Sequence, residues 1–211
     1  MSIGLLILVA VVGYLLGSVN TSIIVGKLLY GKDVRDMGSG NAGATNTLRS
    51  LGKKAAILVL VGDAFKGVLA CLIGRLVTGQ TADGVWLGMY VAGFAAVIGH
   101  NWPVYFGFRG GKGVLTSAAV LLTIAPLPAL CCLAMFIIVL VLGKRVSLGS
   151  IVAAATFPVF AWFLFEPVSL VVVGALMAAL IIVRHHTNIR RLLNGTEPKL
   201  GEKKERPSEA V

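Results

Sequence analysis

The sequence predicts an all-α integral membrane protein of about seven transmembrane helices, with the N-terminus outside and the C-terminus cytoplasmic. Three observations carry that expectation. The 211 residues are 57% hydrophobic and only 13% charged, with a mean hydropathy of +0.90, whereas an ordinary soluble domain is about a quarter charged. Apolar runs recur at the lengths of about 17–25 residues that a bilayer requires, and nothing alternates over about ten residues as a membrane barrel strand does. Finally, one inside–outside assignment leaves only Lys66 and Arg75, of 19 Lys and Arg residues, off the cytoplasmic side. The net charge of +10 is thus explained by the positive-inside rule and not by nucleic-acid binding.

Taken in order, the first span is expected from Ile3 to Val25 and ends at Lys27. It lacks the basic start and small-residue cleavage site of a removed signal peptide. Asn20, Thr21 and Ser22 form a polar patch near its cytoplasmic end, suited to interhelical hydrogen bonds or to the edge of a site. A basic loop, Lys27 to Lys54, leads to a second span at Ala55–Leu76, which carries Asp63 and Lys66. Asp63 lies roughly 13 Å into the helix at 1.5 Å per residue, a depth at which unpaired charge is costly. Spacing of three puts both groups on one helix face, and a structural ion pair is expected.

The third span is expected at Val85–Ile98. The run from Val114 to Leu142 is too long for one span, and Pro126 and Pro128 interrupt it. Two helices turning at 124–128 keep Lys144 and Arg145 cytoplasmic, which a single span would not. Spans at Leu148–Phe165 and Ser169–Val183 complete the set, turning at Glu166-Pro167. Residues 1–197 form one domain in this reading, and 198–211 a charged, disordered cytoplasmic tail. Cys71, Cys131 and Cys132 all lie in apolar runs and are expected to pack, since their spacing fits no disulfide or metal framework.

Three polar motifs then face one compartment. The first is Gly38-Ser39-Gly40-Asn41-Ala42-Gly43-Ala44-Thr45-Asn46, followed by Arg49. The second is Gly99-His100-Asn101-Trp102-Pro103, followed by Gly107-Phe108-Arg109-Gly110-Gly111-Lys112-Gly113. The third runs from Arg184-His185 through Asn188 to Glu197. Glycines leave backbone N–H groups open to an anion, and a following helix start adds its own unpaired donors. Lys112 supplies a mobile charge, and Arg49 a fork that fits phosphate oxygens. The arrangement suits an acyl chain lying in the bilayer beside a soluble phosphate arriving from water. No Gly-x-Ser-x-Gly elbow, His-x4-Asp pair or metal-binding carboxylate cluster is present. Catalysis is therefore expected to rest on positioning and anion stabilisation, without metal or other cofactor.

Together these motifs resemble the bacterial acyl-phosphate:glycerol-3-phosphate acyltransferase family, PlsY, over essentially the whole chain. The resemblance implies acyl transfer from acyl phosphate to the 1-hydroxyl of sn-glycerol 3-phosphate, in the bacterial cytoplasmic (inner) membrane. Lysophosphatidic acid and phosphate would be the products. It implies catalytic roles for Ser39, Arg49, Lys112, His185 and Asn188. Substrate contacts would come from Gly38, Gly40, Asn41, Gly43, Thr45 and Asn46, from His100, Asn101, Gly110, Gly111 and Gly113, and from Arg184. Glu197, like Asp63 and Lys66, would be structural. Partners are limited to the two substrates and membrane lipid, with no nucleic acid and no obligate protein partner. The leaving phosphate would itself take the hydroxyl proton. The competing reading is a transporter for a small organophosphate anion, which would be expected to show internal repeats and broken helices at mid-membrane.

Overall fold

The computed structural model describes residues 2–202 apart from Asp83 and Phe165, and no strand occurs among them. Ten α-helices follow one another: α1 (Ile3–Ser18), α2 (Thr21–Tyr30), α3 (Ala44–Leu51), α4 (Lys53–Thr78), α5 (Leu87–Asn101), α6 (Val114–Ile124), α7 (Pro126–Gly143), α8 (Val146–Phe163), α9 (Val168–Arg184) and α10 (His186–Leu193). Among the described residues, α1 with α2, α4, α7 and α8 are long and apolar enough to cross a membrane. A fifth is added if α9 and α10, bent by 61°, count as one span. The chain is a multi-pass helical membrane protein.

Every expected apolar segment is helical, but two are short. Helix α5 has 15 residues and α6 has 11. The cause at α6 is Pro126, which drives the preceding Ala125 out of helical geometry to φ −142° and ψ 81°. Pro126 then opens α7 at the first helical position, where its missing N–H costs nothing.

The first segment departs most from expectation. Instead of one helix to Val25, the chain leaves helical geometry at Val19 and Asn20. Asn20 restarts it, its Oδ1 accepting the Ile23 N–H at 3.1 Å, the usual N-cap arrangement. Val19 C=O is left outside the α1 ladder, a point that matters below.

Helix α1 packs along α5 by small residues. A Cβ on Gly13 would overlap the carbonyl of Ala92, and one on Gly17 the carbonyl of Ala96. In return, Gly99 of α5 lies against the backbone of Tyr14 and Ser18. Close backbone approach of this kind is how helices gain dispersion energy in lipid, where the hydrophobic effect drives nothing. The larger core is built from α4 to α9 around Cys71, Val97, Val120, Phe157 and Met177. Cys71 and Cys132 are packed in it as free thiols.

After α10 the chain does not leave the domain at once. Arg145 Nε donates to Glu197 C=O at 3.2 Å, and Leu200 N–H donates to Lys144 C=O at 2.6 Å. Of the expected tail, residues 203–211 lie outside the described residues.

Candidate active site

The first glycine-rich loop is organised by Asn46. Its Nδ2 donates to Val34 C=O at 2.8 Å and to Met37 C=O at 3.0 Å, and its Oδ1 accepts the Ser39 N–H at 2.9 Å. Gly38 has φ +57°, and a Cβ there would collide with Asn46 Oδ1, so glycine is needed on both counts. The effect is to present the exposed Ser39 side chain outward. Asp33 anchors the loop's entry by accepting from Arg35 Nε and Nη2 at 3.0 and 2.8 Å. The Arg35 hydrogen bond holds the Asp33 carboxyl well below the usual carboxylate range, against the opposing effect of burial. Arg35 Nη1 also donates to Phe106 C=O at 2.8 Å, tying this loop to the next.

The second loop turns back on the end of α5. Gly110 N–H donates to Asn101 C=O at 3.3 Å and Gly111 N–H to His100 C=O at 3.1 Å. Phe108, unusually for a residue with a side chain, is left-handed at φ 59°. Arg184 closes the loop from the other side, its Nε and Nη2 donating to Gly111 C=O at 3.2 and 2.9 Å. Its guanidinium also lies 5.3 Å from the Trp102 ring centre.

Lys112 is held by a relay. Its ammonium donates to Asn188 Oδ1, and Asn188 Nδ2 donates to Glu197 Oε1 at 2.7 Å. Ser147 Oγ donates to the same Oε1 at 2.7 Å, while Arg191 Nε donates to Oε2 at 2.7 Å. Both ends of the Asn188 amide are thus committed, which fixes its orientation. Burial pushes the Lys112 pKa down to about 8; nearby Glu197 opposes this, and Arg191, Arg184 and Arg49 add to it. At Glu197 burial pushes the other way, but hydrogen bonds from Ser147, Arg191 and Asn188 outweigh it and hold the carboxyl below its usual value.

These pieces wall a cavity of about 260 Å³. Ser39, Gly40 and Asn41 come from the first motif, Phe108, Arg109, Gly110 and Lys112 from the second, and Arg184, His186, Thr187 and Arg191 from the third. Among the described residues the lining is strongly cationic and includes no carboxylate. A second cavity, about 100 Å³ and apolar, opens between α6, α7, α8 and α9, beginning at Val114 and Ser117 and continuing past Phe136, Phe157 and Met177. Val114 is two residues beyond Lys112, so the cationic cavity and the apolar one flank the start of α6.

The sequence model of the glycerol-3-phosphate acyltransferase family matches residues 7–195. The chain belongs to that family. A glycerol-3-phosphate acyltransferase of Clostridioides difficile (strain 630) is 47% identical over 199 residues, covering 94% of this chain and 97% of that protein. One from Shouchella clausii (strain KSM-K16) is 48% identical over 202 residues, covering 94% and 97%. A crystal structure of PlsY, an integral membrane glycerol 3-phosphate acyltransferase in its glycerol 3-phosphate form, superposes with a TM-score of 0.85. It is 38% identical and covers 93% of this chain and 96% of that one. Its lysophosphatidic acid form gives 0.82 at 37% identity, covering 93% and 95%.

Within this acyltransferase-family chain the expected site residues separate into layers. Ser39, Gly40, Asn41, Gly110, Lys112 and Arg184 meet at the cationic cavity. Gly38, Gly43, Asn46, Gly111 and Gly113 shape the loops behind it, and half-buried Thr45 lies in the first turn of α3. Asn188 touches Lys112 from behind, and buried His185 gives its Nδ1 to Ile181 C=O at 2.8 Å. Neither Asn188 nor His185 lines the cavity.

Three residues are placed unexpectedly. His100 and Asn101 are buried beneath the second loop, outside the cavity wall, and His100 Nδ1 lies 2.9 Å from Lys66 Nζ. The Asn101 side chain shows no hydrogen bond among the described residues. Arg49 is exposed on α3 and donates from Nη2 to Pro198 C=O at 3.4 Å, a long contact. The cavity also gains His186, Thr187 and Arg191, none of them among the expected site residues. The one available signal was the Arg191-to-Glu197 interval around Gly195, whose φ of +71° folds the chain back on itself.

Proposed function

We propose that this protein transfers a fatty acyl group from acyl phosphate to the 1-hydroxyl of sn-glycerol 3-phosphate, in the bacterial cytoplasmic membrane. The hydroxyl oxygen attacks the acyl carbonyl carbon, the bond from that carbon to the phosphate oxygen breaks, and the departing phosphate takes the hydroxyl proton. Lysophosphatidic acid and inorganic phosphate leave. The observation that carries this reading is the adjacency of a cationic cavity, built from all three motifs, to an apolar cavity between α6 and α9. An acyl chain suits the second, continuing into the surrounding lipid, and two phosphate groups suit the first. The phosphate released from the acyl carbon stands next to the attacking hydroxyl, and in this reading it serves as the proton acceptor.

In this reading Lys112, Arg184 and backbone N–H groups of the two loops stabilise phosphate charge, and Ser39 and Asn41 hydrogen-bond it. Arg49 lies outside the cavity wall but near enough for its charge to act on Lys112, and release from Pro198 would free its fork for an oxygen of the acyl phosphate. Seven membrane crossings with the glycine-rich loops cytoplasmic would place the site where both substrates can reach it.

The test is phosphate release by the purified protein in lipid, given palmitoyl phosphate and glycerol 3-phosphate. Release that needs both substrates, together with appearance of 1-acylglycerol 3-phosphate, supports the reading. No release, but saturable uptake of glycerol 3-phosphate into vesicles, would replace it with transport.

A further inference from the structure

Behind the site, and unused by the chemistry above, lies a charged cluster in the interior of a membrane protein. Lys66 Nζ is 2.8 Å from Asp63 Oδ1, 2.9 Å from His100 Nδ1 and 3.0 Å from Val19 C=O. The side chains of Asp63 and Lys66 are 2% and 6% exposed. Burying such a pair gains little over apolar residues of the same volume, and charge at membrane depth is expensive. Stability alone does not explain its presence.

Its connections suggest what does. An ammonium has three donors and no acceptor; Lys66 donates to Val19 C=O, faces His100 Nδ1 at hydrogen-bond distance and pairs ionically with Asp63 Oδ1. His100 Nδ1 must therefore accept, which leaves the ring's proton on Nε2. The Nε2 edge faces Gly111 so closely that a Cβ there would overlap it, and Ala42 C=O lies 2.7 Å from the same position. Ala42 C=O also accepts from Asn20 Nδ2 at 3.3 Å, and Asn20 adjoins Val19, the third acceptor of Lys66. The circuit thus runs from the break in the first helix through Lys66 and His100 to both glycine-rich loops at their point of contact.

We infer that Asp63, Lys66 and His100 are positioning residues: the pair fixes the His100 ring, and the ring is the floor on which Gly111, and with it Lys112, is set. Asp63 holds the ammonium in place, Lys66 sets the ring's tautomer and angle, and Arg184 presses Gly111 C=O from above. None of the three touches substrate. The inference rests on the acyltransferase reading, since it specifies how that site is kept in register.

The experiment compares the Asp63→Asn/Lys66→Met double variant with wild type in lipid, measuring phosphate release and thermal unfolding together. Removing both charges avoids leaving one stranded, although Val19 C=O loses its donor, so the double variant should fold with a Tm lowered by no more than about 10 °C. Its kcat/KM for glycerol 3-phosphate should fall about 100-fold, divided between a raised KM and a lowered kcat. Lys66→Arg, which keeps donors toward all three acceptors, should recover most of the activity. His100→Gln, which leaves the ion pair alone but removes the floor, should reproduce the double variant's loss.

A folded double variant, or a folded His100→Gln, with wild-type kcat and KM would overturn the inference and reduce the cluster to packing. So would a Lys66→Arg variant that folds yet is as impaired as the double. A wild type that released no phosphate would instead refute the acyltransferase reading, and the inference would fall with it.

Discussion

Gly111→Ala isolates the geometry of the second loop. The added Cβ would overlap His100 Nε2 and lie 2.9 Å from His100 Cε1 and 2.7 Å from Ala42 C=O. Ordinary contact begins at 3.4 Å, so the move from 2.7 to 3.4 Å requires at least 0.7 Å of displacement. Neither neighbour is a flexible chain end: one is backbone and the other a ring held by Lys66. The loop itself must lift, carrying Lys112. Misplacement on the order of 1 Å costs about 100-fold in rate, so kcat/KM for glycerol 3-phosphate should fall by about that factor. Overpacking of about 1–3 kcal/mol should lower the Tm by no more than about 10 °C in a chain of this length. Gly107→Ala is the control. It has φ +65° and nothing within 4 Å, so only the left-handed conformation, about 1–2 kcal/mol, opposes it. Its kcat/KM should stay within about threefold of wild type. Initial rates of phosphate release, with thermal unfolding on the same preparations, decide the matter. A Gly111→Ala enzyme as active as Gly107→Ala would refute the argument.

Other perturbations read the remaining parts. Ser39→Ala leaves the Asn46 framework intact, since Asn46 binds the Ser39 backbone and not its hydroxyl. It should fold normally and lose about 100- to 1,000-fold in kcat, the usual cost of one donor at developing charge. Lys112, with its pKa depressed to about 8, is cationic below that value and neutral above it. Accordingly, kcat/KM for glycerol 3-phosphate should decline as pH rises through about 8. Lys112→Arg should shift that limb upward or abolish it, and an unshifted limb would assign it to another group. Glu197→Gln weakens bonds to Ser147, Asn188 and Arg191, at a cost of about 2 kcal/mol. Because the Glu197 pKa is held low, its contribution to stability is complete above the unfolded carboxyl value. It is lost as pH falls through the folded one. Thermal unfolding should therefore show wild type and Glu197→Gln converging in acid; a gap that persisted there would show that the carboxylate's charge is not the stabilising element.

Much of the helical plan was written in residues whose effect is local. Pro126 breaks the long apolar run at Ala125 because proline acts on the residue before it, while Pro128 sits within the first turn of α7. Asp63 and Lys66 meet because a separation of three suffices on any helix. The break at Val19–Asn20 was not legible, since no Gly or Pro marks it. Its polar residues gave the signal of a hydrogen-bonding patch, whereas the structure uses Asn20 both as a helix cap and as a support for Ala42. At the site, the glycine-rich loops announced themselves by composition, and their convergence was expected from the basic residues clustered in the loops that carry them. Which of their residues face the cavity depends on partners far along the chain. His100 turns inward because Lys66 is there, Asn188 turns to Lys112 because Glu197 fixes its amide, and Arg49 reaches Pro198. No periodicity in the sequence records those pairings.

The gap between α1 and α2 also makes the N-terminal segment depend on residues that are synthesised later. A peptide carbonyl with no partner is costly in a hydrocarbon environment, and Val19 finds its donor in Lys66, a residue translated 47 positions later. The imidazole that shares that donor follows after a further 34. Until α4 and α5 have left the ribosome, the N-terminal segment carries a polar flaw that water or the insertion machinery must accommodate. A chain ending before Asp63 would lack the donor that Val19 C=O meets in the folded protein.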